Sequence, residues 1–152
     1  MNYEVVQLTE KQVAGLKIRT SNDDPQMVEK IGAIWQRFYG DGIEAALAGR
    51  KNDKCIGLYS NYENGAVGDY DVMVGCEVVA GVSQPEPVEM ATIAAGKYAK
   101  FIVHGDVQQA VGDFWMKLWE MELDRKFSSD FEEYQPGEDM QNAEIHIYIS
   151  LN

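Results

Sequence analysis

The 152-residue chain is 45% apolar and 11% aromatic, which excludes a disordered chain and fits one domain spanning 1–152 with a sizeable core. Its net charge of -12 is scattered rather than gathered into a tail. Such a field repels a phosphate backbone, so direct nucleic-acid binding is not expected and cationic partners are favoured. No apolar run approaches membrane-spanning length and no leader-type apolar region precedes a cleavage site, so the expected setting is the cytoplasm, off the membrane. Cys55 and Cys76 read as small buried hydrophobes rather than a disulfide framework. With two His and no Cys-x-x-Cys or His-x-x-x-His spacing, no metal and no cofactor is expected.

In chain order, Tyr3–Leu8 reads as a strand, followed by a turn and a second strand over Val13–Thr20. A helix start follows, with Asp24 at the N-cap and Pro25 at the first helical position. Val28, Ile31, Ile34 with Trp35, and Phe38 then recur at helical spacing until Gly40-Asp41-Gly42, and Ile43–Ala48 reads as a short extra turn. Cys55–Tyr62 is a third strand, Glu63–Gly68 a turn around Asn64-Gly65, and Asp71–Val79 a fourth strand apolar enough to be central. Gly81–Pro87, with two prolines, reads as a joint.

Beyond the joint the order recurs. Val88–Ile93 and Lys97–His104 read as strands. Asp106, with Gln109 three residues on, opens a helix whose apolar face is Val107, Val111, Phe114, Leu118 and Met121, ending near Asp124. Asp130–Tyr134 is a short aromatic strand. The last strand, Ala143–Leu151, places Ile145, Ile147, Ile149 and Leu151 on one face, with Glu144, His146 and Tyr148 on the other. The fold class is therefore α+β, built from two β-β-α-β-β units over about 1–80 and 88–152. Antiparallel sheets with both helices on one side are expected, and the opposite, curved side would open to a ligand at the pseudo-two-fold junction.

The chemistry of interest sits at Glu132, which alternation places on one face with Tyr134. If Glu132 and Tyr148 look into a common pocket, a carboxylate waits among aromatic rings; otherwise Glu132 is a solvated strand residue, as most glutamates are. His104 and His146 have no partner at catalytic spacing, and no catalytic residue is assigned.

Three stretches carry a resemblance: Ile93–Gly105, Phe131-Glu132-Glu133-Tyr134, and Ile145–Ile149. In that order they resemble the effector-binding domain of AraC- and MerR-type multidrug regulators, also found alone as the gyrase-inhibitor-like (GyrI-like) family, with doubled units of the SHS2 kind. Ser150 departs from the family's usual proline. With no basic helix and no DNA-binding segment before residue 3 or after residue 151, the resemblance is to a stand-alone form of the sort carried on integron cassettes.

The resemblance implies a pocket for amphipathic, often cationic, small molecules in which Glu132 meets the ligand's charge. Tyr148 and Tyr134 would line it, with Tyr59 from the first unit, Trp115 from the second helix, and Trp35 and Phe38 from the first. Two alternatives stay open. One is a hydrolase of electrophilic compounds using the pocket Glu and Tyr. The other is an acidic inhibitor docking on a basic partner such as DNA gyrase, and a transcription regulator or other protein partner is also admitted.

Overall fold

The computed structural model describes residues 2–65, 67–137 and 141–152. Ala66, inside the expected Glu63–Gly68 turn, lies outside the described residues, as do Met1 and residues 138–140. The elements run β1 (Glu4–Leu8), β2 (Lys11–Ser21), α1 (Met27–Gly40), α2 (Ile43–Ala46), β3 (Cys55–Ser60), β4 (Asp69–Val78), β5 (Glu89–Ile93), β6 (Gly96–Gly105), α3 (Val107–Trp119), β7 (Ser129–Tyr134) and β8 (Ala143–Ser150).

All eight strands join one antiparallel sheet in the order β1-β6-β8-β7-β3-β4-β2-β5. Exchanging each strand of the first unit with its counterpart in the second reverses this order and leaves it unchanged. The sheet thus has a pseudo-two-fold axis where β3 meets β7, at the pair Gly57 and Glu132. The edge strands cross over: β1 pairs with β6 and β5 with β2, so each unit completes the other's half.

Register decides which side chains share a face. Cys55 faces Tyr134, Tyr134 faces Ile145, and Glu132 faces Ile147, so these residues lie on one surface. The two long helices, α1 and α3, cover that surface. Ile34 and Phe38 of α1 pack with Leu16, Cys55, Val74 and Cys76. Phe114 and Leu118 of α3 pack with Phe101, Ile145, Ile147 and Ile149. Each helix buries one apolar stripe, as the i, i+4 spacing requires.

Among the described residues the opposite surface is packed rather than open. It is filled by a third core of Val13, Ile56, Leu58, Met73, Ile93, Tyr98, Phe131 and Tyr148, against which Val6 and Leu8 of β1 and Ala91 of β5 pack. The sheet curls until its own edge strands cover that side. The strands approach closely at the Gly15–Gly75 pair, where a Cβ on Gly15 would lie 1.9 Å from the Val74 carbonyl oxygen.

Helix ends differ in how faithfully the sequence marks them. Asp106 caps α3 by accepting from the Gln109 backbone N–H at 3.1 Å, as expected. Asp24 instead accepts from the Gln26 N–H at 2.8 Å and from Lys30 Nζ at 2.6 Å. This Asx-type turn delays α1 to Met27, with Gln26 in the capping position. α3 also stops at Trp119, short of Asp124, yet Met121 still packs on its core.

Candidate functional site

A cavity of about 1340 Å³ lies between α1 and α3, with β3, β4 and β7 as its floor. It is large for a small-molecule site, and nine of the residues lining it are aromatic. Trp35 and Tyr39 come from α1, Trp115 and Trp119 from α3, Tyr59 and Tyr134 from the central strands, and Tyr62, Tyr70 and Phe127 from the far end.

Glu132 is at the floor, with 2% of its surface exposed. Its Oε2 accepts from Trp115 Nε1 at 2.7 Å and from Tyr59 Oη at 2.9 Å, and its Oε1 accepts from Tyr134 Oη at 2.7 Å. Burial pushes its carboxyl above the usual range, and the three hydrogen bonds pull the other way. The donors are all neutral, and none of the influences on its ionisation is a cationic side chain. Burial and the Glu132 charge hold the Tyr59 and Tyr134 hydroxyls well above their ordinary values, so both remain protonated donors.

The ring walls follow the pseudo-two-fold axis. Ile34 and Phe38 in α1 match Phe114 and Leu118 in α3, which makes Trp35 the counterpart of Trp115 and Tyr39 that of Trp119. About the Gly57–Glu132 pair, Tyr59 and Tyr134 are likewise counterparts. Their contacts repeat: Trp35 meets Tyr134 edge-on at 5.2 Å, and Trp115 meets Tyr59 edge-on at 5.2 Å. The acid itself has no counterpart. A Cβ on Gly57 would lie 3.0 Å from Glu132 Oε1 and 3.7 Å from Trp35 Cζ2, so the glycine makes room for the carboxylate beside it.

A second carboxylate, Asp130, is fully buried two residues away and is solved differently. Arg125 Nη2 donates to its Oδ2 at 2.7 Å, as does Tyr62 Oη at 2.7 Å. The Ser150 backbone N–H and hydroxyl donate to Oδ1 at 2.8 and 3.0 Å. Asp130 therefore has an internal cation, and among the described residues Glu132 has none. Among the described residues no cluster of three His, Cys, Asp or Glu is arranged to hold a metal ion, and no helix is long and apolar enough to cross a membrane.

Of the residues singled out in the sequence, Glu132, Tyr134, Tyr59, Trp115 and Trp35 meet in this cavity. Tyr148 does not. β8 pairs with β7 so that Tyr148 faces Phe131, and the two rings stack at 4.5 Å on the surface away from the helices. Burial there pushes its hydroxyl up to about 12. Phe38 is also outside, fully buried in the core beneath α1 because it sits on that helix's inward stripe. Tyr39, Tyr62, Tyr70, Phe127 and Trp119 were missed. Two carried a usable signal: Tyr39 stands four residues after Trp35, and Tyr70 shares the parity of Val72 and Val74 on β4.

An eight-stranded antiparallel sheet with two long helices on one side and an aromatic cavity between them is the architecture of a small-molecule effector-binding domain. The sequence belongs to that class by descent: residues 4–151 match the family described as integron-associated effector binding protein, and this chain is a member of it. It is 32% identical over 153 residues to YobU of Bacillus subtilis (strain 168), provisionally named a transcriptional regulator, covering 97% of this chain and 96% of YobU. Among solved structures, the integron cassette protein VCH_CASS2 from the mobile metagenome of Vibrio cholerae has 29% identity and a TM-score of 0.75, covering 97% of this chain and 95% of that one. SAV2435, solved bound to tetraphenylphosphonium, has 22% identity and a TM-score of 0.83, covering 100% of this chain and 94% of that one, and shows the fold. The family read from the three sequence motifs is thus the family found.

Proposed function

We propose that this chain binds amphipathic organic cations in the cavity between α1 and α3, with Glu132 as the counter-charge. The observation that carries this reading is the contrast between two buried acids. Asp130 is neutralised from within by Arg125, whereas among the described residues Glu132 is held by neutral donors alone, at the floor of a cavity rich in rings. A buried carboxylate is costly without an opposite charge, and a lipophilic cation supplies one while losing little hydration. The surrounding rings add attraction of about 0.5–2 kcal/mol through their negative faces. Flat rings tolerate many outlines, so charge and bulk would be selected rather than one compound. That SAV2435 has been solved with tetraphenylphosphonium supports the same ligand class here.

The test uses two ions of nearly the same shape and opposite sign, tetraphenylphosphonium and tetraphenylborate. Three tryptophans line or border the cavity, so quenching of their emission reports occupancy. The expected result is saturable quenching by the phosphonium with much weaker binding of the borate, and persistence of the preference in high salt, where distant surface charge is screened. Equal affinities for the two ions would overturn the proposal.

A further inference from the structure

We propose that Cys55 and Cys76 form a hydroperoxide-oxidisable dithiol on the wall of the ligand cavity, closing to an intramolecular disulfide between β3 and β4. The two sulfurs are 3.9 Å apart. Ile56 pairs with Gly75, so the next position along places Cys55 directly opposite Cys76. Opposed residues on antiparallel strands have Cα separations of about 4.5–5.5 Å, inside the range a disulfide spans without backbone movement.

The two thiols differ in access and surroundings. Cys55 lines the cavity, whereas Cys76 is 0% exposed beneath it. Around Cys55, the Tyr39 hydroxyl donates to its sulfur at 3.4 Å, and its own thiol reaches Glu44 Oε2 at 3.3 Å. Glu44 and Tyr39 also line the cavity, so a proton acceptor stands beside the largely buried thiol that reaches the cavity wall. The Cys76 thiol, donating toward the Cys55 sulfur, holds the Cys55 thiol below its ordinary value, and the same contact with burial pushes Cys76 up. This is the arrangement of an attacking thiolate with a resolving thiol behind it.

The chemistry balances. Cys55, its proton passed to Glu44, attacks one peroxide oxygen; the O–O bond breaks, Cys55 becomes a sulfenic acid, and an alcohol or water leaves with the proton. The Cys76 sulfur then attacks the sulfenic sulfur, the S–O bond breaks, and water leaves. Two thiols have lost two electrons to one peroxide. The proposal is independent of what ligand the cavity takes, because its readout is sulfur chemistry.

Hydrogen peroxide is added to the full chain, and free thiols are titrated after denaturation. Loss of both thiols, a mass lower by two hydrogens and a monomeric species on a non-reducing gel are expected. In Cys76→Ser the reaction stops at Cys55 sulfenic acid, trapped by dimedone, and in Cys55→Ser Cys76 stays reduced. Retention of both thiols by the wild type, bridging only between molecules, or equal oxidation of Cys76 in Cys55→Ser would each overturn the proposal. If either variant fails to fold, the wild-type thiol count and a peptide map of the bridge still decide.

Discussion

Glu132→Gln isolates the charge from the shape. Trp115 Nε1 can only donate, so the amide oxygen must take the Oε2 position, accepting from Trp115 and Tyr59. The amide nitrogen then faces Tyr134, whose hydroxyl turns to accept. Every polar group keeps a partner, and the fold is retained. What disappears is one charge: opposite unit charges about 5 Å apart attract by about 3 kcal/mol at an effective dielectric near 20. That corresponds to a roughly 100-fold loss of tetraphenylphosphonium affinity, and repulsion of tetraphenylborate should fall by a similar factor. Tryptophan quenching gives both isotherms, and calorimetry checks them without relying on Trp115. A change under about threefold for the cation, ~0.7 kcal/mol, would refute the role given to Glu132.

The pH dependence follows from the direction of the Glu132 shift. Tetraphenylphosphonium does not titrate, so its affinity should fall by about tenfold per pH unit below the folded Glu132 value and level off above it, as isotherms across pH would show. A raised carboxyl stabilises the fold in acid and loses that contribution as pH rises through the folded value. Glu132→Gln should therefore melt above the wild type in mildly alkaline buffer, with the gap closing toward acid; a gap that widens in acid would contradict this. Arg125→Met leaves Asp130 buried without its cation and should cost about 3–5 kcal/mol in urea unfolding, whereas a loss under about 1 kcal/mol would count against the pair. Tyr148→Phe should leave the phosphonium isotherm unchanged, since that ring stacks on Phe131 on the other surface; a shift above about threefold would sink the face assignment.

Side-chain periodicity made the elements legible. Alternation marked β7 and β8, helical spacing marked the Ile34–Phe38 and Phe114–Leu118 stripes, and Asp106 announced α3 three residues ahead of the N–H it caps. Parity put Glu132 and Tyr134 on one face, but a pocket role for the acid came only from the resemblance of Phe131-Glu132-Glu133-Tyr134 to the family's strand. Tyr148 failed because parity fixes faces within a strand, whereas the relation between strands depends on a register that no local pattern carries. The cavity's side failed for a related reason. The far side is packed by edge strands exchanged between units, and Gly15 and Gly75 approach closely, both products of long-range pairing. Asp24 misled because a carboxylate before a proline serves an Asx turn as readily as a cap.

The equivalence of Trp35 with Trp115 and of Tyr59 with Tyr134 about the Gly57–Glu132 pair bears on how a guest would sit. Rotated by half a revolution, a bulky ion would find much the same scenery while its charge stayed put on the spindle. A receptor so built would fix a point and leave orientation loosely defined, and tolerance of dissimilar guests would then follow from the paired rings rather than from any one of them.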